Sequence, residues 1–93
     1  MNAKIRSAAA HHDYTVEIVW SDGTSSTVDF SSTVAKGGVF QPLKDRSFFE
    51  GRLRIGGEGD WLEWPGGVDF SADSLWYRSH PDEEIPEKLA AGA

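Results

Sequence analysis

The sequence predicts a small α+β domain of antiparallel β-hairpins, with about four to five strands and two or three short helical turns. Several short segments alternate apolar and polar residues, as half-buried strands do. Glycine-containing turns separate those segments. Between them lie stretches that begin at serine or aspartate and end at glycine, as short helices do. At 93 residues the chain has room for one domain.

The first hairpin spans residues 14–30, and side-chain parity predicts its register. A three-residue turn, Ser21-Asp22-Gly23, pairs Val16 with Val28 and keeps the apolar side chains on one face. A two-residue turn would instead set Val28 opposite Glu17 and mix the faces. Glycine at the end of the turn accepts the left-handed backbone that closes such loops, so the three-residue turn is predicted.

The aromatic and glycine-punctuated segment 37–51 is predicted to cross between two hairpins. Asp45 is a good N-cap for a short helix that ends near Gly51. The segment carries five apolar side chains, and burial of each contributes on the order of 1.5–3 kcal/mol. They are therefore predicted to fill the space between the hairpins: Val39, Phe40, Leu43, Phe48 and Phe49.

Three further strands are predicted in the second half of the chain. Residues 52–55 alternate, with Leu53 and Ile55 facing inward. Residues 61–64 follow, with Leu62 and Trp64 inward, and residues 68–70 form a short strand before a helical turn capped by Ser71. The domain is predicted to occupy residues 13–78. A flexible lead-in of residues 1–12 and a flexible acidic tail of residues 79–93 are predicted to flank it.

The amino-acid composition limits both the cellular compartment and the kinds of cysteine-based site that the protein can have. The chain has no cysteine, which excludes disulfides, thiolate metal sites and a cysteine nucleophile. No apolar run approaches the roughly 20 residues that span a bilayer, and the first ten residues lack the apolar centre of a secretory signal. We therefore expect a cytoplasmic protein that does not enter the membrane.

No pattern of residues predicts catalysis, a cofactor or a metal. His11 and His12 are adjacent, and adjacent side chains of an extended segment point to opposite faces, so they do not converge on one ion. Asp60, Glu63 and Asp69 lack the spacing of a calcium loop. We expect no enzyme, and the third-ranked hypothesis of a small-substrate site at Asp69, Asp73 and His80 has little cleft to support it.

Charge is divided unevenly along the chain, whose net charge is −6. Residues 36–54 carry five basic and two acidic side chains, 5 − 2 = +3, and residues 55–87 carry one basic and nine acidic, 1 − 9 = −8. Such a split can steer a partner. Exposed aromatic side chains also mark interfaces. The candidate partner contacts are accordingly four basic and two aromatic residues: Lys44, Arg46, Arg52, Arg54, Trp61 and Trp76.

Five motifs in order resemble a known family. They are Trp20-Ser-Asp-Gly-Thr24, Val28-Asp-Phe30, Gly37-Gly-Val-Phe-Gln-Pro-Leu43 with Phe48-Phe49, Trp64-Pro-Gly-Gly-Val-Asp-Phe70, and Asp73-Ser-Leu75. Across residues 13–77 the chain is similar to the bacterial domain of unknown function 2442. The resemblance implies a compact α+β fold rich in antiparallel strands, and it brings no catalytic residues. Some members continue into a helix-turn-helix DNA-binding domain, and others resemble partners of a second small protein in toxin–antitoxin-like gene pairs.

Two functions follow as hypotheses. Nothing after Tyr77 is long or periodic enough for a DNA-binding helix pair, which favours a non-enzymatic protein-binding adaptor or antitoxin-like regulator. Its partner would be a protein, such as the product of a neighbouring gene. A homodimer is a second option, because small open sheets must cover or pair their edges. The alternative is a nucleic-acid-associated regulator that faces phosphate with Lys44, Arg46, Arg52 and Arg54.

Overall fold

The structure, a computed structural model, describes residues 3–80 and contains two three-stranded antiparallel sheets. The strands of the first sheet are β1 (Ile5–Ala10), β2 (Thr15–Trp20) and β3 (Ser25–Asp29), in the order β1-β2-β3. Those of the second are β4 (Arg54–Gly56), β5 (Trp61–Trp64) and β6 (Val68–Ser71), in the order β4-β5-β6. The helices are α1 (Ser31–Ala35), a 3₁₀ helix (Gly38–Lys44), α2 (Arg46–Gly51) and α3 (Ala72–Ser79). The predicted α+β class is confirmed.

The first hairpin has the predicted register. Val16 pairs with Val28, and the amide of Trp20 donates to the carbonyl of Thr24 at 2.8 Å, which leaves three residues in the turn. Gly23 closes the turn with φ +90°. Parity was decisive because a slip by one residue would have moved the apolar set to the solvent face.

Strand β1 corrects the predicted flexible lead-in, which is wrong for residues 5–10. Ala8 lies opposite Ile18 and Ala10 opposite Val16, so small side chains of β1 lie beside the buried ones of β2 on the inner face of the sheet. The Ile5 side chain is buried, and its amide donates to the carbonyl of Gly59 at 2.9 Å. Serine and alanine favour strands weakly, so this strand depends on its partner and not on local preference. Residues 81–93, most of the predicted tail, lie outside the described residues.

The crossing segment contributes to the core as predicted, but not with all of its apolar side chains. Leu43 and Phe49 are fully buried, and Phe40 and Phe48 are half-buried. Val39 is 57% exposed, so its predicted burial is wrong. The backbone before it has positive φ at both Gly37 and Gly38, and this turns the Val39 side chain outward.

Helix α3 joins the two sheets. The hydroxyl of Ser71 caps it, accepting the amide hydrogen of Ser74 at 3.1 Å, as the sequence predicts. At its other end the Arg78 guanidinium lies 5.0 Å from the centroid of the Phe30 ring and donates to the carbonyl of Asp29 at 3.1 Å. The helix therefore begins at the end of β6, and Arg78 near its C-terminus contacts the end of β3.

Three aspartates, Asp13, Asp22 and Asp29, each accept the backbone amide of the residue two positions ahead, at 3.2, 2.9 and 2.8 Å. Hydrogen bonds from the hydroxyl and the amide of that residue lower the pKa of each carboxyl below its ordinary 3.8. A pKa that is lower in the folded state gives stability that is present above the unfolded value of 3.8. That stability is lost as pH falls through the folded value.

We therefore expect acid to destabilise the fold partly through these turns. The melting temperature of the wild-type chain should fall as pH decreases from 4.5 to about 2.5. Asp22→Asn keeps an acceptor oxygen without the charge, so its melting temperature should fall less over the same interval. Thermal unfolding followed by circular dichroism measures both curves, and parallel curves would contradict the assignment for Asp22.

Candidate partner-contact surface

Strand β5 places its side chains alternately on the two faces of the second sheet. Leu62 and Trp64 are buried, at 0% and 1% exposure, which confirms their predicted inward orientation. Trp61 and Glu63 consequently face outward, and Trp61 is 37% exposed. One tryptophan of this strand is thus a core residue, and the other lies on the surface.

The indole of Trp61 is held in place on the outer face. A Cβ atom added to Gly56 would overlap the indole nitrogen, which shows that the ring lies directly over this glycine. The indole N–H donates to Oε1 of Glu63 at 2.9 Å. The absence of a side chain at position 56 therefore makes room for the ring, and Glu63 fixes its rotation.

Strand register defines the surroundings of this ring. Glu63 lies between Arg54 and Asp69 in one cross-strand row, and Trp61 lies between Gly56 and Ser71 in the next. Residues directly opposite one another share a face. We call this surface the Trp61 face, made up of Arg54, Trp61, Glu63, Asp69 and Ser71.

Ile55 departs from its predicted inward position. It pairs with the buried Leu62, yet its side chain is 37% exposed. Strand β4 is the edge of its three-stranded sheet, so the inner face has no neighbour on one side of Ile55. Because Ile55 shares the face of Leu62, its exposed side chain lies on the opposite side of the sheet from the Trp61 face.

The four basic candidates occupy the two ends of α2. Lys44 and Arg46 lie at its start, and Arg52 and Arg54 follow its end, which is a separation of about 9 Å for six helical residues. Arg46 contacts two residues of its own chain. Its Nε donates to the carbonyl of His12 at 2.9 Å, and its guanidinium lies 4.9 Å from the centroid of the Tyr14 ring. Arg52 and Arg54 are exposed and form no ion pair within residues 3–80.

Trp76 does not belong to the surface. It is 5% exposed, its ring meets that of Trp20 edge-on at a centroid distance of 5.0 Å, and the His80 ring stacks on it at 3.9 Å. The prediction that Trp76 contacts a partner is therefore corrected, because α3 turns this side chain into the core. Helical spacing from the buried Ala72 could have indicated this position.

The acidic residues that were considered as calcium ligands or as part of a small-substrate site have structural partners or lie apart from one another. Asp60 forms an ion pair with Lys4, and the hydrogen bond from the ammonium group lowers the pKa of the Asp60 carboxyl. Asp73 accepts the amide of Ala3 at 3.3 Å, and His80 Nδ1 lies 2.7 Å from the Trp76 carbonyl oxygen. Within residues 3–80 no three metal-binding side chains cluster. In the same range no helix is both long and apolar enough to cross a membrane.

Fold and surface together define a small β-meander domain with an ordered, exposed tryptophan. The sequence matches the family model described as "Protein of unknown function (DUF2442)" over residues 5–81, which is more than half of the chain. The chain therefore belongs to this family, as its motifs indicate. A comparison with the curated proteins finds no match.

A solved structure shares the fold. It is the "Crystal Structure of Putative DNA Binding Protein NE0471 from Nitrosomonas europaea ATCC 19718", with a TM-score of 0.74 and 23% sequence identity. The match covers 97% of this chain and 57% of the other, so the present chain spans a little more than half of that protein's length. At this identity the likeness shows the fold alone.

Proposed function

We propose that this chain is a non-enzymatic protein-binding module, an adaptor or regulator that contacts its partner through the Trp61 face. The observation that carries the proposal is the exposed and ordered indole of Trp61. Tryptophan and arginine dominate the binding energy of protein interfaces, and Arg54 lies on the same face. A side chain whose rotation is already fixed loses little conformational entropy on binding.

The exposed part of the Trp61 ring supplies the apolar part of this surface. The interface core of many complexes pairs such apolar contacts with a polar rim, a combination that Arg54, Glu63 and Asp69 supply here. The finer proposal is an antitoxin-like regulator whose partner is the product of a neighbouring gene. It is supported by the family resemblance described above.

Co-purification tests this function. When the tagged chain is co-expressed with the products of neighbouring genes, we expect one of them to co-elute at a fixed ratio in light scattering. Trp61→Ala should reduce the recovered partner by at least about tenfold, the usual effect of losing a central tryptophan. Glu17→Gln is the matched control, because Glu17 is exposed on the first sheet. Equal recovery with Trp61→Ala would place the contact elsewhere, and no co-elution together with a monomeric mass would refute the function.

The runner-up is a nucleic-acid-associated regulator, favoured by the exposed Arg52 and Arg54 and by the similar Nitrosomonas europaea structure, that of a "Putative DNA Binding Protein". The four basic residues would contact phosphate groups, whose binding depends strongly on salt. Binding to mixed DNA and RNA at about 50 mM salt tests this function. Undetectable binding, or binding unchanged after replacement of Lys44, Arg46, Arg52 and Arg54 by glutamate, would dismiss it.

A further inference from the structure

The Trp61 ring presents one face to solvent. Its other face covers the backbone of Gly56, and a Cβ atom added to Gly57 would come within 3.0 Å of the ring carbon Cζ3. The inner ring face covers the glycines and the nitrogen donates to Glu63, so the outer face and edge of the 37% exposed residue are left for contact with a partner. An indole face carries partial negative charge and attracts cations.

One carboxylate, Glu63, contacts that ring, and a second, Asp69, lies opposite Glu63 on β6. The amide of Ala72 donates to the carbonyl of Asp60 at 2.8 Å, so hydrogen-bonded pairs fall at alternate positions from there along β5 and β6. Glu63 and Asp69 consequently form a non-hydrogen-bonded pair, the closer of the two types, with Cβ atoms about 4.5–5.5 Å apart. The Glu63 carboxylate is directed toward β4, where its Oε1 would lie 2.7 Å from a Cβ atom added to Gly56, and Asp69 lies on the other side of Glu63.

Arg54 does not neutralise the pair. It lies opposite Glu63 on the far side from Asp69, and it makes no ion pair with either carboxylate within residues 3–80. Asp69 also has no hydrogen-bond partner from a side chain in that part of the chain. The face therefore offers an aromatic surface on β5 and, on the neighbouring strand β6, a carboxylate without an ion-pair partner within residues 3–80.

We propose that the Trp61 face binds an arginine side chain of the protein partner, with the guanidinium stacked on the indole and hydrogen-bonded to Asp69 and Glu63. This inference rests on the proposed function and specifies the chemistry of the partner. Arginine fits better than lysine because its planar group stacks on aromatic rings and matches carboxylate oxygens in pairs. A phosphate backbone would meet two negative charges here, so nucleic acid does not suit this face.

The probe is the peptide acetyl-Gly-Arg-Gly-Arg-Gly-amide, titrated into the full-length chain while the indole N–H signals are followed by NMR. Four tryptophans give four such signals, and Trp61→Phe assigns the one of interest. We expect a saturable shift of the Trp61 signal with millimolar affinity. The analogue in which neutral citrulline replaces arginine keeps the shape and should cause no saturable shift. The lysine analogue should bind about threefold more weakly.

Two substitutions measure separately how much each carboxylate of the site contributes to peptide binding. Asp69→Asn and Glu63→Gln should each weaken the arginine peptide about threefold, while glutamine at 63 can still accept the indole N–H. Glu17→Gln removes one carboxylate from the first sheet and should leave the affinity unchanged. Equal shifts with the citrulline peptide, or no effect of either variant, would overturn the inference. Capture of a partner that depends on Trp61, without binding of the arginine peptide, would refute this inference and leave the proposed function standing.

Discussion

Replacing Trp64 by alanine is expected to lower the free energy of unfolding by about 3–5 kcal/mol, a large share of the 5–15 kcal/mol of a typical domain. Trp64 is 1% exposed, and its ring stacks on Phe49 at a centroid distance of 5.2 Å. It also meets Phe30 edge-on at 5.7 Å, and its indole N–H donates to the buried carbonyl of Phe49 at 2.9 Å. The substitution removes the ring contacts and leaves that carbonyl without a donor.

The control for this prediction lies on the same strand. Trp61→Ala makes the same chemical change three residues earlier, on the outer face, and should cost about 1 kcal/mol or less. Urea unfolding of both variants and the wild type at one pH measures the difference. Similar losses for the two variants would contradict the assignment of Trp64 to the core and Trp61 to the surface.

Gly59→Ala is expected to cost about 2–4 kcal/mol, because position 59 combines a left-handed backbone with close contact to another strand. Its φ is +89°, and an added Cβ would lie 2.5 Å from the carbonyl oxygen of Ile5 and 2.9 Å from the Ile5 nitrogen. These atoms are backbone and cannot rotate away. The β1 strand would have to move, breaking the hydrogen bond from the Ile5 amide to the Gly59 carbonyl.

Comparison with Gly66→Ala separates the cost of backbone strain from the cost of steric overlap in Gly59→Ala. Gly66 has φ +101°, but no atom lies within 4 Å of the added Cβ, so only the backbone term of about 1 kcal/mol applies. Urea unfolding gives the two costs, and hydrogen exchange of the Ile5 amide reports whether β1 has detached. Equal costs, or an Ile5 amide that stays protected in Gly59→Ala, would show that β1 does not depend on this contact.

Patterns among residues close in sequence predicted the fold well. The parity of Val16 and Val28 determined the first turn, and alternation in β5 determined which tryptophan is buried. Asp45 caps α2 as predicted, accepting the amides of Ser47 and Phe48. Each of these features depends on residues close in sequence, where local rules are strongest.

Features that depend on distant partners were missed. Strand β1 has the weak strand formers Ser7 and Ala8, and it is stabilised by its pairing with β2 and by the contact of Ile5 with Gly59. Ile55 alternates correctly, but its place on a sheet edge exposes it, and edge position cannot be read from a single strand. Trp76 was predicted to contact a partner because only a helical turn was expected after Ser71, whereas α3 is eight residues long and buries this side chain.

The candidate surface was predicted in part. Trp61 and Arg54 are among the partner contacts predicted from the sequence. Glu63 and Asp69 were considered only as metal-binding or catalytic residues and were not predicted to contact a partner. The register between β5 and β6 places these two residues opposite each other, and Glu63 also contacts the indole. Nothing in a single sequence fixes the pairing of two strands separated by a Pro-Gly-Gly turn with the accuracy this arrangement requires.

Calorimetric titration of the co-purified partner into three forms of the chain tests the central claim most directly. These forms are the wild type, Trp61→Ala, and a variant with Lys44, Arg46 and Arg52 replaced by glutamate. The Trp61 face predicts that Trp61→Ala weakens binding by at least about tenfold, and that the triple variant changes it much less. Unchanged affinity in Trp61→Ala with a large loss in the triple variant would contradict the claim and move the contact to the ends of α2.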